Sequence, residues 1–308
     1  MNTFGKRFRL TTYGESHGLA VGGIIDGCPS QLSIDFEAIE ADLRRRSSGA
    51  PRQEEDRVEW LSGIKDGITL GTPIAFCIRN HNARPDDYAT LEHLYRPGHA
   101  DYTYEARFGV RDHRGGGRAS ARETVARVVA GAIAKQAIGP VSIHAEVDTL
   151  GPEGDTRGGI VNCRIDGLRA GVGNPIFGKL GALLAQAMMS IPSAIGFEMG
   201  AGFAAARMKG SEFVDRWAPH PFSHSATRPL TTTNHCGGVQ GGISNGMPVE
   251  FRVAFHPVVT LPSEVECLSD EGTLVPTTIV GRHDSCQVLR TPVIVEAMAA
   301  LTLADLLV

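Results

Sequence analysis

From Thr291-Pro292 to near its end the chain reads as a helix that is apolar on nearly every side. A helix with no polar face has to be covered all round, so this segment must lie deep inside the fold. It is not a membrane span. Asp305 interrupts its most apolar part, Ala299–Val308, and nothing in the sequence approaches the ~20 apolar residues that crossing a bilayer takes. The 308 residues suffice to bury one large core or two smaller ones. A charged fraction of 21% excludes a mostly disordered chain. No linker rich in Pro, Ser or charge and no fixed-period repeat divides the sequence, so a single domain over 1–308 is expected.

Three further helices have boundary signals. Asp35–Arg46 places Phe36, Ile39 and Leu43 on one face and Arg44, Arg45 and Arg46 in its last turn, where cations suit the dipole. Ser120 and Glu123 match a capping box ahead of Val125, Val128, Val129, Ala132 and Ile133, and Gly139-Pro140 stops that helix. After Asn174-Pro175, Phe177, Leu180, Leu184 and Met188 should point inward until Pro192. Strands are expected at Phe8–Thr12, Gly22–Asp26, Val58–Ser62, Ile68–Ile78, Val141–Asp148, Ile195–Met199 and Val249–Phe255. Glycine-rich returns between them favour antiparallel pairing, hence a layered α+β fold over a parallel doubly wound sheet.

Arginine outnumbers lysine 25 to 5. A guanidinium grips carboxylate or phosphate with two parallel bonds, as an ammonium cannot; codon bias is the competing account. The net charge of −4 and the lack of a basic stripe argue against a nucleic-acid partner. The six cysteines contain no C-x-x-C pair and show no disulfide spacing, which suits a reducing, cytoplasmic compartment.

Five clusters carry chemistry. Tyr13-Gly14-Glu15-Ser16-His17-Gly18 closes a strand and reads either as a turn with a surface histidine or as polar groups offered to a ligand. Arg96-Pro97-Gly98-His99-Ala100-Asp101 gathers a fork, an imidazole and a carboxylate that either orients His99 or holds it cationic. The histidines lack zinc-type spacing, and no metal is expected. Arg114-Gly115-Gly116-Gly117-Arg118-Ala119-Ser120-Ala121-Arg122 runs into a helix start, a sound anion site, or is a solvated loop. Asn234-His235 and the glycines from Gly237 to Gly246 suit either a ligand wrap or a tight hairpin. Gly281-Arg282-His283-Asp284 again pairs fork, imidazole and carboxylate. Together they suggest a phosphorylated, carboxylated small substrate and acid–base or elimination chemistry.

These five blocks, in this order along the whole chain, resemble the chorismate synthase family. The resemblance implies a β-α-β-α sandwich of antiparallel sheets with helices, usually a homotetramer. It implies a lyase that makes chorismate from 5-enolpyruvylshikimate 3-phosphate by 1,4-anti elimination with reduced FMN. The family is also associated with NADP. No nicotinamide fingerprint is visible here, so a separate flavin reductase or another supply of reduced flavin is expected. By the same resemblance His17 protonates the departing phosphate and His99 protonates or stabilises the reduced flavin. Asp284, aided by Ser16, helps remove the proton that reaches flavin N5. Arg46, Arg52, Arg96 and Arg122 hold the substrate's anionic groups. Flavin contacts fall to Arg118, Ser120, Ser193, Gly241, Arg282 and the segment from His256 to Thr260. This chain has His256-Pro257-Val258 where the family usually has Lys-Pro-Thr, and Ile191-Pro192-Ser193 where it usually has Ile-Asn-Ala. It is also shorter than most members, with the loop after Arg52 trimmed and the segment between Asp148 and Gly171 in place of a longer insertion. The alternative expectation is a non-catalytic flavin- or anion-binding relative.

Overall fold

The computed structural model describes residues 2–218, 230–261, 263–279, 282 and 284–308. The apolar C-terminal segment forms helix Pro292–Leu307, and every residue from Val293 to Ala304 is buried. Helices are numbered here α1 (Phe36–Ser47), α2 (Asp101–Phe108), α3 (Thr124–Ala137), α4 (Leu180–Met189), α5 (Gly210–Phe213) and α6 (Pro292–Leu307). α6 packs along α3, which lies on a five-stranded antiparallel sheet; its other side meets a four-stranded antiparallel sheet. The first sheet runs Thr3–Phe4, Arg9–Tyr13, Ala20–Asp26, Ile74–Arg79, Val58–Trp60 in spatial order. The second runs Ala194–Met199, Val249–Phe255, Gly159–Asp166, Ser142–Leu150. The α+β class of antiparallel sheets and helices is present, but the layers run sheet, helix, helix, sheet and not in the expected β-α-β-α order, because α3 and α6 pack on each other. Two helix layers back to back are the cover that an all-apolar α6 requires.

The α3–α6 contact is close because of one glycine. A Cβ on Gly131 would stand 2.3 Å from the Cβ of Ala297, so only hydrogen there lets the two backbones meet. The one carboxylate in the buried run of α6, Glu296, accepts from Arg45 of α1 at 2.7 and 2.8 Å, Lys135 of α3 at 2.8 Å and the backbone N–H of Ala145 at 3.0 Å. Burial pushes its carboxyl upward, and Arg45 and Lys135 outweigh that, holding it below the usual glutamate value.

Several boundaries differ from the sequence reading. Asp35 caps α1 as expected, accepting from the Ala38 N–H at 3.0 Å. Ser120 instead caps a short 3-10 turn, Ala121–Glu123, by accepting from the Arg122 N–H. Glu123 pairs with Arg127, so α3 begins only at Thr124. Phe177 is 96% exposed rather than inward, because Ile176 takes a positive φ of 67° and α4 starts at Leu180. The expected strand Ile68–Ile78 is two strands, Ile68–Thr69 and Ile74–Arg79, parted at Gly71 (φ 77°) and Pro73. A third sheet, Leu274–Thr278, Glu264–Ser269 and Leu94–Tyr95, was not foreseen; nor were α2 and the strand Gly159–Asp166. All six cysteines are free thiols. No helix among the described residues is long and apolar enough to cross a membrane.

Candidate functional site

The strand Arg9–Tyr13 ends in the turn that carries Ser16 and His17, both buried. Facing them is the triple glycine. Gly115, Gly116 and Gly117 all have positive φ (61°, 79° and 52°), and a Cβ on Gly115 would lie 2.2 Å from the His17 ring. The glycines therefore let an imidazole rest against bare backbone. The edge of the ring also meets Tyr88, centroids 4.9 Å apart, and the buried Nδ1 has no hydrogen-bond partner among the described residues.

His17 opens on a cavity of about 230 Å³. Five arginines line it, Arg46 from α1, Arg52, Arg122, Arg282 and Arg290, against three carboxylates, Glu54, Asp56 and Asp284. The surplus is cationic, and it acts on the histidine. Burial, then repulsion from Arg52 and Arg282, bring the His17 imidazole down to about 4.

The carboxylates set the guanidiniums. Asp56 lies between Arg46 (3.4 Å) and Arg122, and Arg122 also donates to Asn80 at 2.9 Å. Asp56 has φ 48°, a left-handed conformation that a non-glycine residue adopts at some cost, here at the floor of the charged cavity. Arg46 is also fixed by Thr124 and the Ala121 carbonyl, both at 3.0 Å. Burial draws its guanidinium down to about 10 against the pull of Asp56, which leaves it cationic at neutral pH. Arg52 pairs with Glu54 and donates to the Ser16 carbonyl at 2.9 Å. Asp284 pairs with Arg290 and accepts from the Cys286 N–H at 3.2 Å.

A second cavity, about 1160 Å³, adjoins the first. Tyr88, Gly115, Ser120, Ala121, Pro192 and Gln287 line both. Its wall also holds Arg96, His99, Arg118, Ser193, His256 and Thr260, so with Ser120 seven of the residues singled out from sequence meet here. His99 Nδ1 donates to the Pro97 carbonyl at 2.9 Å; Nε2 must then accept from the Thr260 hydroxyl at 2.8 Å, which sets the tautomer. Burial, with Arg96 second, lowers the His99 imidazole below its ordinary value. Volume and donors suit a flat cofactor with a phosphate tail.

Four assignments change. Asp101 neither orients His99 nor holds it cationic: it accepts from Arg96 at 2.8 and 2.9 Å, and both side chains are buried. Arg96 is thereby committed to a protein carboxylate and lies on the larger cavity, apart from Arg46, Arg52 and Arg122. Arg282 lines the arginine cavity and not the larger one. Gly241 lines neither cavity; with Gly242 it forms the turn of the hairpin Val239–Gln240 and Ile243–Ser244, whose end packs on the start of α4. Arg118 does line the larger cavity, but its fork is tied to Thr12 at 2.7 Å and the Gly14 carbonyl at 3.2 Å, joining the glycine loop to the strand end. Gly281 and His283 lie outside the described residues. The sequence reading missed Asp56, Glu54, Tyr88, Gln287 and Arg290. The one available signal was an arginine, Arg290, standing just before an apolar helix.

A family model described as chorismate synthase matches residues 8–152 and 140–308. A chorismate synthase of Christiangramia forsetii is 46% identical, with 99% of this chain and 96% of that protein covered. One of Opitutus terrae is 44% identical over the same shares. Both alignments are longer than the chain itself, so these relatives carry internal segments that it lacks. A solved structure described as a crystal structure of chorismate synthase superposes with a TM-score of 0.78 at 28% identity, covering 98% of this chain and 92% of that one.

Proposed function

Because the chain belongs to the chorismate synthase family, we propose that it converts 5-enolpyruvylshikimate 3-phosphate to chorismate and phosphate by 1,4-anti elimination, using reduced FMN. Membership makes it an enzyme, a lyase of aromatic biosynthesis through the shikimate pathway. The observation that carries the finer reading is the pair of adjoining cavities: a small one ringed by arginines around His17, and a large one beside the glycine loop and His99. One takes a small polyanion; the other has room for the flavin against the shared wall.

In the arginine cavity Arg46, Arg52 and Arg122, joined by Arg282, hold the phosphate and carboxylates. Each of the first three is already oriented by a carboxylate, so little side-chain freedom is lost when the anion arrives. His17, neutral on its own among these cations, gains proton affinity when a phosphate dianion offsets Arg52 and Arg282. It then donates to the leaving phosphate oxygen as the C–O bond breaks. Asp284 and Ser16 line the same cavity, where they serve removal of the ring hydrogen. Arg118, Ser120, Ser193, His256 and Thr260 would hold the flavin, with His99 beside its reduced ring. Held there, a reduced flavin would lend electron density to the substrate ring as phosphate leaves and would be recovered reduced, with no net redox change. A separate reductase supplies it, and the working form is a homotetramer.

The test is an anaerobic assay of purified protein with chemically reduced FMN and substrate. Equal amounts of phosphate and chorismate are expected. Flavin and substrate binding without turnover would instead identify a non-catalytic relative.

A further inference from the structure

Arg290 closes the 3-10 turn Gln287–Arg290, immediately before α6. Its guanidinium is largely buried, lines the arginine cavity and meets the carboxylate of Asp284, the other oxygen of which accepts from the Cys286 N–H. From the same turn Gln287 reaches the Ser193 hydroxyl, at the shared wall of the two cavities. A partly buried carboxylate that has to serve as a base needs a fixed direction, and a guanidinium N–H on one oxygen with a backbone N–H on the other provides it. The turn is anchored by α6, the most deeply buried element of the fold, so the direction is held rigidly.

We propose that Arg290 is the positioning residue of Asp284, holding its carboxylate aimed into the substrate cavity. The inference rests on the reading of Asp284 as a group that helps take the ring hydrogen. Arg290 differs in this from Arg46, Arg52 and Arg122, whose carboxylate partners, Asp56 and Glu54, have no part in the chemistry proposed above.

Steady-state kinetics of R290Q, R290K and D284N, with folding checked by circular dichroism, test it. In R290Q kcat should fall by about 10²-fold, the order expected when a reacting group is displaced by ~1 Å, with KM little changed. R290K, which restores the charge without the fork, should recover part of the loss. In the D284N background R290K should cost nothing further. A raised KM with unchanged kcat in R290Q would make Arg290 a substrate anion clamp and overturn the proposal. So would wild-type kinetics in R290Q, or an R290K loss as large with D284N as without it. If R290Q does not fold, the R290K and D284N pair decides alone. An inactive wild type would remove the activity reading and this inference together; an active wild type with an unmoved R290Q removes only the inference.

Discussion

His17 shows how burial, and then neighbouring cations, set a proton's place. Its unfolded imidazole takes up a proton near 6.5, the folded one only near 4. The unfolded state therefore binds more protons between these values, and the folded state loses stability as pH falls through that window while nothing changes above it. His17→Asn should flatten the decline in chemical-denaturation stability between pH 6.5 and 4; an undiminished slope would place its origin elsewhere. For catalysis, His17→Ala and His99→Ala should each lower turnover by about 10²–10⁴-fold with the fold intact, the usual worth of a positioned proton donor. A near-wild-type rate in either would take that residue out of the mechanism. At this scale the sequence showed which residue types gather around glycines. It could not show their pairing: Asp101 stands two positions from His99 in the chain but belongs to Arg96 in space. Asp56 has no local signature, since its role comes from two arginines on other segments.

Among the elements, α6 carries the most constraint. Glu296 ties it to α1, α3 and the strand Ser142–Leu150. Glu296→Ala would strip the buried partner from Arg45 and Lys135 and should cost about 3 kcal/mol in a denaturant titration, at the low end for a broken buried pair because both cations reach solvent. Gly131→Val would force α3 away from Ala297 and should destabilise by about 1–3 kcal/mol, as overpacking does; unchanged stability would mean that the crossing relaxes freely. The helices with a 3.6-residue apolar period were legible, to within a few residues of their ends. α2 was not, because Asp101 is its only buried residue and it has no apolar stripe to read. The hairpin of Glu264–Ser269 and Leu274–Thr278 is largely exposed and equally silent. Gly159–Asp166 does alternate, with Val161, Cys163 and Ile165 inward, but glycines on both flanks blur the pattern.

In the whole molecule both ends of the chain meet at the site. The N-terminal sheet presents Ser16 and His17, α1 presents Arg46, and the segment before α6 presents Arg282, Asp284 and Arg290. Asp305, the residue that interrupts the apolar C-terminal run, accepts the backbone N–H groups of Lys6 at 2.7 Å and Phe8 at 3.1 Å and so fastens the start of the chain to its end. Because the two cavities share a wall, occupation of one should order the other. FMN should bind more tightly with 5-enolpyruvylshikimate 3-phosphate present than without it in a fluorescence titration. Equal affinities would mean that the cavities act independently.

Periodicity and the order of five motif blocks determined the α+β class, the buried last helix and the family, because these depend on residue type and spacing along the chain. Tertiary structure alone decided which arginine meets which carboxylate, that Arg96 lines the larger cavity and Arg282 the smaller, and that Arg290 stands beside Asp284. The reason is physical: residue type does not say where folding brings a side chain, so Arg122 meets Asp56 from 66 positions away, and Asp101, two positions from His99, pairs with Arg96 instead.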